Sequence, residues 1–208
     1  MPRPQVAKAK LLDAALMLIR ERGFAAMSVD ELCGRAGVTK GAFFHYFKSK
    51  EELGIAAADH WSEVTGALFA QAEYHKHEDP LARVLGYIDL RRSLLRGTLP
   101  EFTCVVGTMV QETFELHVKI RDACAASIFG HAETLAGDIE SARAKYGVTG
   151  EWTALSLAAH TQAVLQGAFI LAKAKDDVAV AIESVDHLRR YVELLFSGAA
   201  ASMKSAKS

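Results

Sequence analysis

Residues 38–53 read VTKGAFFHYFKSKEEL. Phe43, Phe44, Tyr46 and Phe47 stand close together with His45 among them, flanked by Lys40 on one side and by Lys48 and Lys50 on the other. Such a cluster is either a small hydrophobic core with a solvated rim or a surface that grips something negatively charged. Projection at 3.6 residues per turn divides it. Phe43 and Phe47 lie four apart on one face, with Val38 below them. Thr39, Lys40, Phe44 and His45 fall on the other side, and Tyr46 is read with them. The expectation is therefore a split cluster: Phe43 and Phe47 in a core, Phe44 and Tyr46 toward a ligand.

The chain on either side explains what that core is. From Val6 to Glu21 apolar residues recur at three and four, an amphipathic helix stopped by Gly23. Ser28 followed by Glu31 predicts a capping box, with Val29, Leu32, Cys33 and Ala36 as the inward stripe of a helix that Gly37 ends after about two turns. Thr39 is the next N-cap, and a second short helix runs to about Phe47. Ser49 with Glu52 predicts another capping box, opening a longer helix through Trp61 toward Tyr74. Short helix, turn over residues 37–39, short helix is a helix-turn-helix. In that device the first helix braces the second, whose N-terminal turn points at base edges in the major groove. Each outward residue suits the task. Thr39 and Lys40 stand at a helix start that favours phosphate. Gly41 permits close approach to a sugar-phosphate strand, Phe44 can pack on sugar or a thymine methyl, and Lys48 and Ser49 are placed for phosphate.

Charge points the same way. The whole chain of 208 residues carries a formal net charge of −1, which alone argues for no polyanionic partner. Residues 1–50 nevertheless hold nine Lys and Arg against four Asp and Glu, a net of +5, and the remainder has a net of −6. A basic head stands on an acidic body. The three cysteines, Cys33, Cys104 and Cys124, are odd in number and unspaced for metal, so they read as reduced thiols of a cytoplasmic protein. The N-terminus lacks a signal-peptide core. No run approaches 18 apolar residues, so no membrane span is expected.

Beyond Asp79-Pro80 five more helical segments are expected, at 81–96, 102–116, 118–145, 151–173 and 178–196. GTLP (97–100), KYGVTG (145–150) and KAKDD (173–177) are the breaks between them. The predicted fold is all-α with about nine helices. It comprises an N-terminal three-helix bundle carrying the helix-turn-helix (1–50), a helical body (51–200) and a fraying tail (201–208).

The stretch SVDELCGRAGVTKGAFFHYFKSKEEL resembles the signature of the TetR family of bacterial transcriptional regulators. Ala36-Gly37-Val38, Gly41, Phe47, Lys48, Lys50, Glu51 and Leu53 stand where that family's pattern has them, over residues 8 to about 56. The resemblance implies DNA contact by Ser28, Thr39, Lys40, Gly41, Phe44, His45, Tyr46 and Lys48. Phe44 occupies a position that is often Tyr in the family, where the hydroxyl bonds a phosphate; Tyr46 or the Thr39 hydroxyl is left to replace that contact. The resemblance also implies that the last two helices pair with their copies in a four-helix homodimer interface. Leu155, Ala159, Ala163, Gly167, Ile170, Leu188, Tyr191 and Leu195 are the residues assigned to it here. A dimer makes geometric sense, because two recognition helices about one DNA turn apart read a palindrome.

The middle helices are the family's ligand-binding part. Within 101–117, Cys104, Thr108, Met109, Glu112 and Phe114 stand in a segment similar to the "G-C-L-x-G-N-L-x-x-E" pattern of one family branch, with Thr103 for the Gly and Thr108 for the Asn. Tyr87, Leu90, Leu94, His131, Gln162 and Gln166 complete the candidates for a site that takes a small apolar effector. Their plainer readings stay open: Met109 and Phe114 as core, His131 as a satisfied helix histidine, Cys104 as inert packing.

No G-x-S-x-G, Walker or H-E-x-x-H pattern points to an enzyme. No residue set calls for a cofactor or a metal. The sequence thus predicts a homodimeric regulator that binds a double-stranded DNA operator, most simply a repressor released by an effector. An activator of the same fold is the alternative, and a helical small-molecule-binding protein without DNA function is a further one.

Overall fold

The computed structural model describes the backbone of residues 4–205 and the side chains of residues 6–197. Among the described residues every regular element is helical: α1 (Pro4–Arg22), α2 (Val29–Ala36), α3 (Lys40–Tyr46), α4 (Lys50–Ala70), a 3₁₀ turn (Glu73–Lys76), α5 (Pro80–Ser93), α6 (Leu99–Phe102), α7 (Val105–Thr113), α8 (Val118–Tyr146), α9 (Ala154–Lys175) and α10 (Val178–Ser205). The all-α class is as expected, with ten α-helices where the pattern predicts about nine. The extra one is α6, which starts in the stretch expected as a break, while α7 stands for the helix expected over 102–116. Thr98 caps α6 in a complete capping box with Glu101, and Pro100 sits in its first turn. GTLP is therefore a helix start rather than a plain break. The backbone then turns extended at Thr103 and Cys104, and α7 begins afresh. The last helix runs past residue 196 to Ser205, into the segment expected to fray; residues 206–208 lie outside the described residues.

The chain divides into two compact units. The first joins Met1–Ala67 to Thr98–Ile128, and the second joins Leu68–Gly97 to Phe129–Ser208. One longer helix and two short ones bury too little surface to stand alone, and the first unit supplies what they lack. Val105, Val106 and Met109 of α7 and Ile120 and Cys124 of α8 join Leu11, Leu18, Ile19, Leu32, Phe43, Phe47 and Leu53 in one core. The basic head at 1–50 thus shares its core with α7 and the first turns of α8.

In the second unit α9 and α10 pack together, and α10 packs on α5. Arg92 to Asp186 (2.6 Å) and Arg189 to Asp89 (2.8 Å) join α5 to α10. These two ion pairs clasp one helix to the other. α9 buries Leu157, Ala158, Thr161, Leu165, Ala168 and Phe169 on one side. By length and composition alone it is the one helix among the described residues that could also cross a membrane, a weak signal that core helices share.

Candidate functional site

α2, the turn and α3 are fixed by local chemistry. Ser28 accepts from the Glu31 amide (3.1 Å) and Thr39 from the Ala42 amide (3.2 Å), each capping its helix. Gly37 is left-handed, with φ +63, and the amides of Gly37 and Val38 return to the carbonyls of Gly34 and Cys33. That is a Schellman closure, and it needs a residue without a Cβ penalty. Two capping boxes are only half formed. The Glu31 side chain turns to Arg22 instead of the Ser28 amide, and Glu52 takes the Lys48 amide (2.7 Å) while Ser49 caps the Glu52 amide. Glu31 exchanges the amide that the motif assigns it for a charged guanidinium, and Glu52 exchanges one backbone amide for its neighbour.

The aromatic cluster divides as its spacing requires. Phe43 is 0% and Phe47 2% exposed, whereas Phe44 is 53% exposed. Thr39, Lys40, Gly41, His45 and Lys48 are exposed as well. Tyr46 is half-buried against the core, with its ring 4.8 Å from that of His45, so it faces outward less than its spacing implied. Lys40 holds Asp30 of α2 at 2.8 Å. A phosphate reaching Lys40 competes with that carboxylate, a coupling the sequence reading missed although Asp30 lies in the first turn of α2. The Thr39 oxygen is engaged as an acceptor only, leaving its O–H able to donate.

The candidate effector residues fall into separate groups. In the first unit Met109 is buried in the core beside Val105 and Val106, the plainer of its two readings. Phe114 is exposed. Cys104 is the N-cap of α7, its Sγ accepting from the Gly107 amide at 3.4 Å, and the Thr108 hydroxyl returns to the Cys104 carbonyl. Glu112 lies against the α1–α2 turn, a placement no sequence signal gave.

In the second unit three candidates meet. The Tyr87 hydroxyl lies 3.0 Å from His131 Nε2 and accepts from the Gln162 amide at 2.9 Å. Because Tyr87 has one proton to give, the arrangement pairs it with a neutral imidazole accepting at Nε2. Phe69 stacks within 4.6 Å of His131 and 5.6 Å of Tyr87, and Tyr74 meets Tyr87 edge-on at 6.0 Å. Phe69 and Tyr74, which close this aromatic group, escaped the sequence reading because α4 and the 3₁₀ turn read as connecting structure. Arg91 covers the Phe69 ring at 5.3 Å. Leu90 on α5, Leu94 at its C-cap and Gln166 on α9 are half-buried and nearby in sequence.

Burial, helped by the Arg91 charge, lowers the His131 pKa from 6.5 to about 4. A depressed histidine favours the neutral folded form, so its contribution is complete above 6.5 and is lost as pH falls toward 4. Full loss costs about 3 kcal/mol as an upper bound. Urea midpoints across this window should therefore fall more steeply for the wild type than for His131→Phe; equal slopes would show that the imidazole carries no such penalty.

On the dimer face assigned from the sequence, Leu155, Ala163 and Ile170 are exposed along α9, with Ala159 and Gly167 half-buried between them. On α10 Tyr191 is exposed and Leu195 half-buried, but Leu188 is 3% exposed and packs inside the protomer. Leu194, at 71% exposed, was not singled out and extends the apolar surface.

Comparison with known proteins agrees with this geometry. Residues 11–57, spanning α1 to the start of α4, match the model of bacterial regulatory proteins of the tetR family. The transcriptional regulator AcuR of Cereibacter sphaeroides is 30% identical over 139 residues, which cover 64% of this chain and 59% of AcuR, less than two thirds of its length. The HTH-type transcriptional repressor NemR of Escherichia coli K12 is 29% identical over 144 residues, 67% of this chain and 70% of NemR. A TetR-family transcriptional regulator from Agrobacterium tumefaciens shares the fold with a TM-score of 0.80 at 21% identity, over 91% of this chain and 98% of that one. Residues 11–57 are thus a helix-turn-helix segment of the tetR family of bacterial regulatory proteins, and the chain as a whole has the fold of solved TetR-family regulators.

Proposed function

We propose that the protein is a cytoplasmic homodimeric repressor that binds a palindromic operator through α3 and is released by a small, largely apolar effector. The observation that carries the reading is the division of α3: its aromatic core face is closed, while Thr39, Lys40, Gly41, Phe44 and His45 present one exposed surface. Repression, rather than activation, is supported by the similarity to NemR, a repressor. The effector is assigned to the Tyr87–His131–Gln162 trio, whose three polar groups stand among aromatic rings, the mixture that orients a small apolar molecule. Release requires the effector to prefer the DNA-incompetent form by about 1.4 kcal/mol for each tenfold loss of operator affinity.

The test separates affinity from sequence reading. Lys48 follows the recognition helix and is assigned to phosphate. Lys48→Ala should weaken binding to all duplexes alike and reduce the slope of log affinity against log salt by about one. Thr39→Ala and Lys40→Ala should instead narrow the gap between operator and scrambled duplex. Titrations at several salt concentrations measure both, and an unchanged slope in Lys48→Ala removes that residue from the interface.

A further inference from the structure

The turn between α1 and α2, residues 23–25, is held from three sides by side chains that lie outside the helix-turn-helix. Glu112 of α7 places Oε2 2.7 Å from the Ala25 amide. Its other oxygen fills the space a side chain would need at Gly23: a Cβ built there would stand 2.0 Å from Oε1, and Gly23 has φ +89. The left-handed backbone favours glycine here, and a side chain at this position would have to displace the carboxylate. Lys50 of α4 donates to the Ala25 carbonyl at 2.9 Å and lies 4.7 Å from the centre of the Phe24 ring. Phe24 is buried against the open backbone of Gly54, where a Cβ would stand 2.9 Å from its ring, and meets His117 edge-on at 6.3 Å. Both polar groups of Ala25 are thus taken by oppositely charged side chains, from helices 25 and 87 residues distant in sequence.

We propose that Glu112, with Lys50, is a positioning latch: it fixes the α1–α2 turn and so sets the angle at which α2 and α3 meet DNA. The turn is the only covalent link from α1 into the helix-turn-helix, so its two anchored peptide groups fix where α2 begins. The inference rests on the DNA-binding reading above, but the latch itself has a readout that needs no DNA. Its sign also distinguishes it from a plain charge effect. Removing an acidic group from a DNA-binding unit raises affinity for any duplex by electrostatics alone, whereas loss of a positioning contact lowers affinity for the selected sequence.

The experiment uses the full-length wild type, Glu112→Gln and Glu112→Ala. Amide hydrogen exchange is followed at Ala25. Binding is measured to a duplex enriched by the wild type from a random pool and to a scrambled duplex of equal length. Charge-assisted hydrogen bonds are strong enough that Ala25 protection should fall about tenfold in Glu112→Ala. Affinity for the enriched duplex should fall by a similar factor while scrambled-duplex binding stays level or rises, with Glu112→Gln between the two. The circular dichroism melting midpoint, read alongside, should move little because the carboxylate is exposed. Unchanged protection at Ala25 would overturn the latch. Lost protection with undiminished affinity for the enriched duplex would overturn its positioning role. If the wild type enriched no duplex, the DNA-binding reading would fail, and Ala25 exchange would still decide whether the latch exists.

Discussion

Phe43→Ala should destabilise the protein by about 3–5 kcal/mol and abolish specific DNA binding, while its neighbour Phe44→Ala should cost less than about 1.5 kcal/mol. The contrast comes from burial. Phe43 has no exposed surface and lies in the core formed by α1, α2, α4 and α7, so truncation leaves a cavity lined by Leu32, Phe47 and their neighbours. Phe44 offers half its surface to solvent and loses chiefly an edge contact with Phe43 at 5.1 Å between ring centres. Its truncation should nevertheless weaken operator binding, because the exposed ring belongs to the assigned contact face. Thermal melts read the first difference, at about 2–4 °C per kcal/mol for a chain of this size, and duplex titrations read the second. A Phe44 variant as unstable as the Phe43 variant would mean that the two faces of α3 have been assigned wrongly.

Gly167→Glu is expected to split the proposed homodimer without harming the fold of the single chain. A side chain at Gly167 would meet nothing within 4 Å inside the protomer, and replacing a helical glycine favours α9 by roughly 0.5–1 kcal/mol. Any loss must therefore arise between copies. A glutamate at a close helix crossing leaves an unpaired charge out of water, at a cost of about 3–5 kcal/mol, equivalent to more than a hundredfold in the dissociation constant. Sedimentation velocity at micromolar concentration should show a dimer for the wild type and a monomer for the variant, with the variant's operator affinity reduced as well. A wild type that sediments as a monomer would remove the interface from α9 and α10.

How far these features could be read from the sequence depended on how local their causes are. Helix α2, the turn and α3 were legible because Ser28, Gly37 and Thr39 act on amides and carbonyls within five residues. The division of Phe43 from Phe44 came from helical spacing alone. By contrast, the break between α6 and α7 was missed, although Thr98, Pro100 and Glu101 carry a helix-start signal; apolar periodicity over 102–116 masked it. Glu112 was singled out for an effector, yet it accepts from the Ala25 amide and fills the space beside Gly23, positions that no spacing rule connects to it. Tyr87, His131 and Gln162 were each named, but their mutual bonds join residues 44 and 75 apart in the chain. Leu188 matched its apolar neighbours in pattern and differed only in which helix face α5 and α9 had already covered.

The most direct test of the central claim is selection of bound duplexes from a random DNA pool by the wild-type protein and by Thr39→Ala/Lys40→Ala. A protein of this fold that reads DNA through the N-terminal turn of α3 should enrich a palindrome whose half-sites are centred about one helical turn apart, roughly 10 base pairs or a multiple of it. The double variant should lose that enrichment while keeping a thermal melt close to that of the wild type. Recovery of the same palindrome by the double variant, or of no sequence by the wild type, would contradict the account.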